Sequence, residues 1–188
     1  GTVYEIPNLR GAGHGRLPAK SAERMTGRIV QVNISPGGIP KRPVREAWLT
    51  PLGLEGDACA HPAIHGGPKQ AVLVLCAEVV DELAAKGYAV FYGALGENLT
   101  VAGLDPHRFR FGQRYQAGEA IVELTRLRRP CRTIAVYGAG IEQELFDRAA
   151  SEGDPSSPKW GLGGVYASVV RAGRIRPGDP FVLLEEPA

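Results

Sequence analysis

Over residues 28–34, Val30, Val32 and Ile34 fall on one side of an alternating run and Ile29 is out of step, the period-2 pattern of a half-buried strand. Pro36-Gly37-Gly38 then supplies a turn, because glycine takes the positive φ that tight turns need. A short strand is predicted over 44–49. Residues 71–76 are continuously apolar and predict a buried strand, with Cys76 at its end as a core thiol. Residues 77–86 change to helical spacing, with Val79, Val80, Leu83 and Ala84 as a stripe, acids early, Lys86 late and Gly87 as the stop.

From 88 to 104, short strands are expected to alternate with glycines. Clear alternation over 118–125 predicts a strand that delivers Cys131 at or just past its end. A second helix is predicted over 141–150, with Leu145, Phe146 and Ala149 as its apolar face. Two closing strands follow, over 163–170 and 174–184, the latter interrupted by a Pro177-Gly178-Asp179 turn. The sum is a mainly-β chain: a closed or partly closed β-barrel of about eight to ten short strands with two or more short helices.

Composition narrows this picture. With 188 residues and 44% hydrophobic content, one core-bearing domain over 25–188 is expected, and residues 1–24, before the single methionine Met25, are set aside as a leader or extension. A net charge of +2, spread along the chain, gives no nucleic-acid-binding surface. The longest apolar run is far shorter than the roughly 20 residues of a membrane span. Cys59, Cys76 and Cys131 are widely spaced, which supports neither a disulfide framework nor a CxxC metal site and fits a reducing, cytoplasmic setting.

The chemistry concentrates around Cys131. Arg128, Arg129 and Arg132 flank it, and nearby guanidinium groups favour the thiolate, which attacks electrophiles and binds soft metals. Arginine also holds phosphate or carboxylate. Lys41 and Arg42 follow the first glycine turn and could cradle an anion. His65-Gly66-Gly67 lets an imidazole and backbone N–H groups approach a ligand. His61 and His65 form a metal pair only on a helix, which Pro62 and Pro68 disfavour. Asn98 carries both donors and acceptors, useful at a heterocycle's edge.

These segments together resemble the MOSC domains, named for the C-terminal domain of molybdenum cofactor sulfurase, in their small stand-alone bacterial form. The resemblance rests on Val32-Asn33-Ile34-Ser35-Pro36-Gly37-Gly38 with Pro40-Lys41 and Pro43, Gly53-Leu54-Glu55-Gly56-Asp57, His65-Gly66-Gly67, Gly96-Glu97-Asn98-Leu99, Gly103-Leu104, Gly112, Gly118 and Arg129-Pro130-Cys131, in the family's order over 27–184. It implies a β-barrel in which Cys131 ligates molybdenum or carries sulfur. A molybdopterin cofactor would be held by Lys41, His65, Asn98, Arg129 and Arg132, and N-hydroxylated purines, hydroxylamines or amidoximes would be reduced.

Two departures stand out: Gln70 occupies a position where relatives often carry arginine, and Leu127-Arg128 replaces a proline-arginine opening. His65 is the expected proton source, since its unperturbed pKa of ~6.5 suits exchange near neutrality. With no cysteine cluster and no GxGxxG, electrons are expected from a separate reductase protein. The competing readings are a sulfur carrier with a persulfide on Cys131, a non-catalytic cofactor-binding module, a Cys131–His65 hydrolase and an inert strand-end thiol. Oligomeric state stays open.

Overall fold

The computed structural model describes residues 25–58 and 67–187, and eleven strands run through them. They are β1 (Thr26–Ile34), β2 (Arg42–Val44), β3 (Ala47–Thr50), β4 (Gly53–Leu54), β5 (Val72–Cys76), β6 (Leu99–Ala102), β7 (Arg114–Ala117), β8 (Ala120–Leu127), β9 (Val165–Arg171), β10 (Gly173–Ile175) and β11 (Pro180–Glu185). Seven of them close into a barrel in the order β11-β7-β8-β9-β5-β6-β1, because β1 also pairs with β11; β2 lies beside β1 as an extra strand. A small sheet, β10-β3-β4, stands apart from the barrel ladder.

The alternation that predicts these strands is what fills the barrel. Ile29, Val32, Val72, Val74, Leu99, Val101, Val122 and Leu124 are all buried, with Tyr115 stacked on Phe181 at 4.8 Å between ring centroids. Ile29 falls out of step because the β1–β6 ladder slips between Ile29 and Gln31, a bulge that lets Ile29 and Val32 both face inward. The single parallel pair of the barrel, β5 with β6, needs a crossover. Helix α1 (Ala77–Ala85) provides it, burying Val79, Val80 and Leu83.

Several predicted elements come out differently. Ala84 lies on the exposed side of α1. The strand expected over 44–49 is two strands, separated by Arg45 and Glu46. Residues 88–98 form loops and turns, since Gly87, Gly93 and Gly96 all adopt positive φ and break any ladder. The helix expected over 141–150 is two short ones, α2 (Ile141–Leu145) and α3 (Arg148–Ser151). Phe146 turns extended, and Asp147 restarts the helix by accepting from the Ala150 N–H at 2.8 Å, an N-cap.

Candidate functional site

A cavity of about 220 Å³ opens at the barrel end where β1 and β8 finish and β5, β6 and β9 begin. That is just below the roughly 300–1,000 Å³ of ordinary ligand pockets and holds a small ligand or one end of a larger one. Lys41, Asp57, Asn98, Arg128, Cys131 and Thr133 bring polar groups to it, while Ile39, Leu52, Leu54, Leu73 and Leu95 supply apolar wall. Chain segments distant in sequence meet here because the ends of barrel strands β1 and β8, the starts of β5 and β6, and the small-sheet strand β4 all come to this place.

One side is built around Asp57. Its carboxylate accepts from Lys41 Nζ at 2.6 Å, from the Asn98 amide at 2.8 Å and from the Ser35 N–H at 2.8 Å. Asn98 in turn ties β5 to β1: its Oδ1 accepts from the Leu73 N–H at 3.1 Å, and its backbone carbonyl accepts from the Asn33 N–H at 2.7 Å. Asn98 thus spends most of its hydrogen-bonding capacity on the scaffold. Lys41 is held from behind by Gly93, whose carbonyl accepts from the Lys41 N–H at 2.9 Å. Gly93 has φ +96°, and a Cβ there would overlap the Lys41 carbonyl, so only glycine permits this approach.

The opposite side is the segment after β8. The β8–β9 ladder slips between Leu124 and Arg126, and beyond the slip Leu127 and Arg128 are both buried. Leu127 packs with Ala150 and Trp160, whereas the Arg128 side chain lines the cavity. Its Nη2 donates to the Leu95 carbonyl at 2.9 Å, and its Nη1 has no partner among the described residues although the residue is only 6% exposed. A buried, half-satisfied guanidinium is costly unless something completes it. Burial pushes its pKa below the ordinary value, opposed by Tyr166, Cys131 and Glu97 nearby.

Glu97 is fully buried, accepts from the Gly93 N–H at 2.6 Å and the Thr100 hydroxyl at 3.1 Å through Oε1, and has no partner at Oε2 among the described residues. Burial raises its pKa, with those hydrogen bonds and Arg128 opposing.

Cys131 is partly exposed at the cavity, with Sγ 2.7 Å from Thr133 Oγ1. The chain around it is two-sided. Arg128, Cys131 and Thr133 line the cavity, whereas Arg129 and Arg132 line a separate, open concavity with Pro130, Glu142, Gln143 and Phe146. Of the residues expected from the sequence, the fold therefore brings Lys41, Asn98 and Cys131 together and puts Arg129 and Arg132 on the reverse of the same wall. His65 and the alternative ligand His61 lie outside the described residues. Gln70 and Ala58, on either side of that segment in sequence, both line the cavity.

Sequence reasoning missed Asp57, Thr133 and the inward role of Arg128. Asp57 closes the Gly-Leu-Glu-Gly-Asp stretch, and a carboxylate ending a glycine loop sixteen residues after a lysine was its signal. For Arg128 no such signal exists, because the even-numbered phase of Ala120, Val122 and Leu124 breaks at the exposed Arg126.

No group of three or more His, Cys, Asp or Glu side chains able to hold a metal occurs among the described residues. Nor does any helix among them have the length and apolarity to cross a membrane.

The MOSC domain family model matches residues 61–182, and the chain belongs to that family. It is 33% identical over 151 residues to YflK of Bacillus subtilis, covering 78% of this chain and 63% of that protein. It is 35% identical over 143 residues to YiiM of Escherichia coli, covering 74% and 59%. The chain thus spans about three fifths of the length of these curated relatives. A solved structure of YiiM from Geobacillus stearothermophilus superposes with a TM-score of 0.61 at 26% identity, covering 85% of this chain and 75% of the other.

Proposed function

We propose that the cavity binds a molybdenum–pterin cofactor and that the loaded protein reduces N-hydroxylated compounds. The observation that carries this reading is the pairing, in one cavity, of a soft cysteine donor with a buried guanidinium whose Nη1 lacks a partner among the described residues. A thiolate suits a thiophilic metal, and a planar guanidinium suits the anionic end of a pterin phosphate. A metal here would arrive with most of its ligands already attached, since Cys131 is the one soft donor among the residues lining the cavity. The residues fit such a group.

When bound, the cofactor supplies two-electron abstraction of oxygen from N–OH, with the balance R–NHOH + 2e⁻ + 2H⁺ → R–NH₂ + H₂O. The chain's own residues do the rest. Cys131 anchors the metal, with Thr133 holding its sulfur in place. Arg128 takes the anionic end, the role the sequence reading gave to Arg129 and Arg132. Asp57 fixes the Lys41 ammonium and the Asn98 amide at the far wall. Ile39, Leu54 and Leu95 keep water off the substrate. His65 remains the proposed proton source.

The test is turnover of an amidoxime by protein from molybdopterin-competent cells, with reduced methyl viologen as donor. Amidine formation that Cys131→Ala abolishes supports the reading. A Cys131-dependent persulfide, seen by intact mass without any turnover, would instead favour the sulfur carrier.

A further inference from the structure

Two buried polar atoms of opposite character are left over once the cavity is built. Arg128 Nη1 and Glu97 Oε2 are both enclosed, and neither has a hydrogen-bond partner among the described residues. Orphaned atoms of this kind are rare in folded proteins and call for an explanation. One loop, residues 93–98, anchors both side chains. Arg128 Nη2 donates to its Leu95 carbonyl at 2.9 Å, and Glu97 Oε1 accepts from its Gly93 N–H at 2.6 Å. Each group acts on the other's charge, although the two orphaned atoms are not bonded to each other.

Arginine does not give up its proton, so Arg128 is a buried cation in need of a counter-charge. Glu97 is the acid placed to supply it. Burial nevertheless holds the Glu97 carboxyl above the ordinary carboxylate range, against the pull of its hydrogen bonds and of Arg128. The other charges around the pair are accounted for. The Lys41 ammonium is matched by Asp57 at 2.6 Å. Cys131 and Tyr166 act on Arg128 from the cavity wall. Burial raises the Tyr137 phenol, with Arg42 opposing and Glu97 adding.

We infer that Glu97 and a bound anionic group are alternative counter-charges for Arg128, so that the cavity takes up an anion together with one proton. The inference rests on the reductase reading only in placing an anionic end at Arg128. A solvent proton goes onto the Glu97 carboxylate as the anion enters and returns to solvent as the anion leaves; nothing is oxidised or reduced. With Glu97 neutral, the guanidinium is uncompensated and holds the anion. As pH rises through the raised folded value, Glu97 ionises, satisfies Arg128 itself and weakens the anion's hold, by up to about tenfold per pH unit. Reciprocally, the bound anion makes Glu97 a still weaker acid.

The probe is sulfate, a tetrahedral dianion that stays fully ionised between about pH 5 and about pH 9, so its own charge does not enter the proton count. It is titrated by calorimetry onto the full chain from cells that make no molybdopterin. Wild-type affinity should fall at least about tenfold from about pH 6 to about pH 9, and buffers of different ionisation enthalpy should report uptake approaching about one proton per sulfate once the fall is under way. Glu97→Gln keeps the shape without a titrating proton, and should bind sulfate equally well at each pH with no uptake. Arg128→Gln should lose binding throughout. An affinity flat in pH, no sulfate binding by the wild-type chain, or a pH dependence retained in Glu97→Gln, as a histidine or the Cys131 thiol would give, overturns the inference. The wild-type proton count needs no variant to fold, and a count near zero overturns it alone.

Amidoxime turnover separates the two readings. A chain that reduces the amidoxime yet binds sulfate without a proton keeps the reductase reading and loses this one. A chain that takes up sulfate with a proton yet never turns over keeps the proton-linked anion site and loses the reductase reading.

Discussion

Lys41 Nζ and Asp57 Oδ1 sit 2.6 Å apart with both side chains mostly buried, and the same carboxylate holds the Asn98 amide. The contact joins the turn after β1 to the glycine loop after β4 and fixes one wall of the cavity. Removing one member leaves the other charge buried and unpaired, so Asp57→Ala should cost about 3 kcal/mol. Lys41→Ala should cost less than Asp57→Ala, because Asp57 keeps its bonds from Ser35 and Asn98. Urea denaturation of both single variants and the double variant checks this, and a double-mutant coupling near zero would show the pair to be incidental.

Arg128 should matter more to cofactor retention than either flanking arginine. Arg128→Ala is expected to lower retained pterin, read by fluorescence after oxidative release, by about tenfold or more, and Arg128→Lys should fail to restore it because an ammonium lacks the planar fork. Retention equal to wild type in Arg128→Ala would remove this residue from the site.

Thr133 positions the Cys131 sulfur through the 2.7 Å contact. Groups that orient a metal ligand typically contribute ~10–100-fold in affinity. Thr133→Val should therefore lose metal on dialysis that Thr133→Ser keeps. Equal retention in the two variants would count against that role.

Glu97 carries a pH signature. Its pKa in the folded protein is raised by burial, so as pH rises past the ordinary carboxyl range the unfolded chain releases this proton while the folded protein keeps it. The folded state then binds more protons, and stability falls with rising pH up to the raised value. Glu97→Gln keeps an acceptor for Gly93 and Thr100 and has no proton to lose. Its stability relative to wild type should grow between about pH 5 and about pH 8 in urea melts. A constant difference across that range would contradict the assignment.

The barrel was legible because period-2 alternation is imposed by filling its interior: the fully apolar run before α1 and the alternation of β8 both became strands. What misled was local. Leu145, Phe146 and Ala149 fit a helical stripe, yet the Asp147 side chain caps a new helix, a choice periodicity does not encode. At the site, the family resemblance is what grouped Lys41, Asn98 and Cys131. It did not tell which of three neighbouring arginines faces inward, since that depends on the ladder slip between Leu124 and Arg126. The arginines first invoked to explain a thiolate divide accordingly, Arg128 to the cavity and Arg129 and Arg132 to the reverse face.

The most direct measurement is molybdenum per chain, by inductively coupled plasma mass spectrometry, in protein purified from molybdopterin-competent cells. The account predicts about one molybdenum per wild-type chain and its loss in Cys131→Ala, with the folded state of the variant verified by its thermal melt. Metal content unchanged by Cys131→Ala, or no molybdenum in a folded wild-type chain, would contradict it.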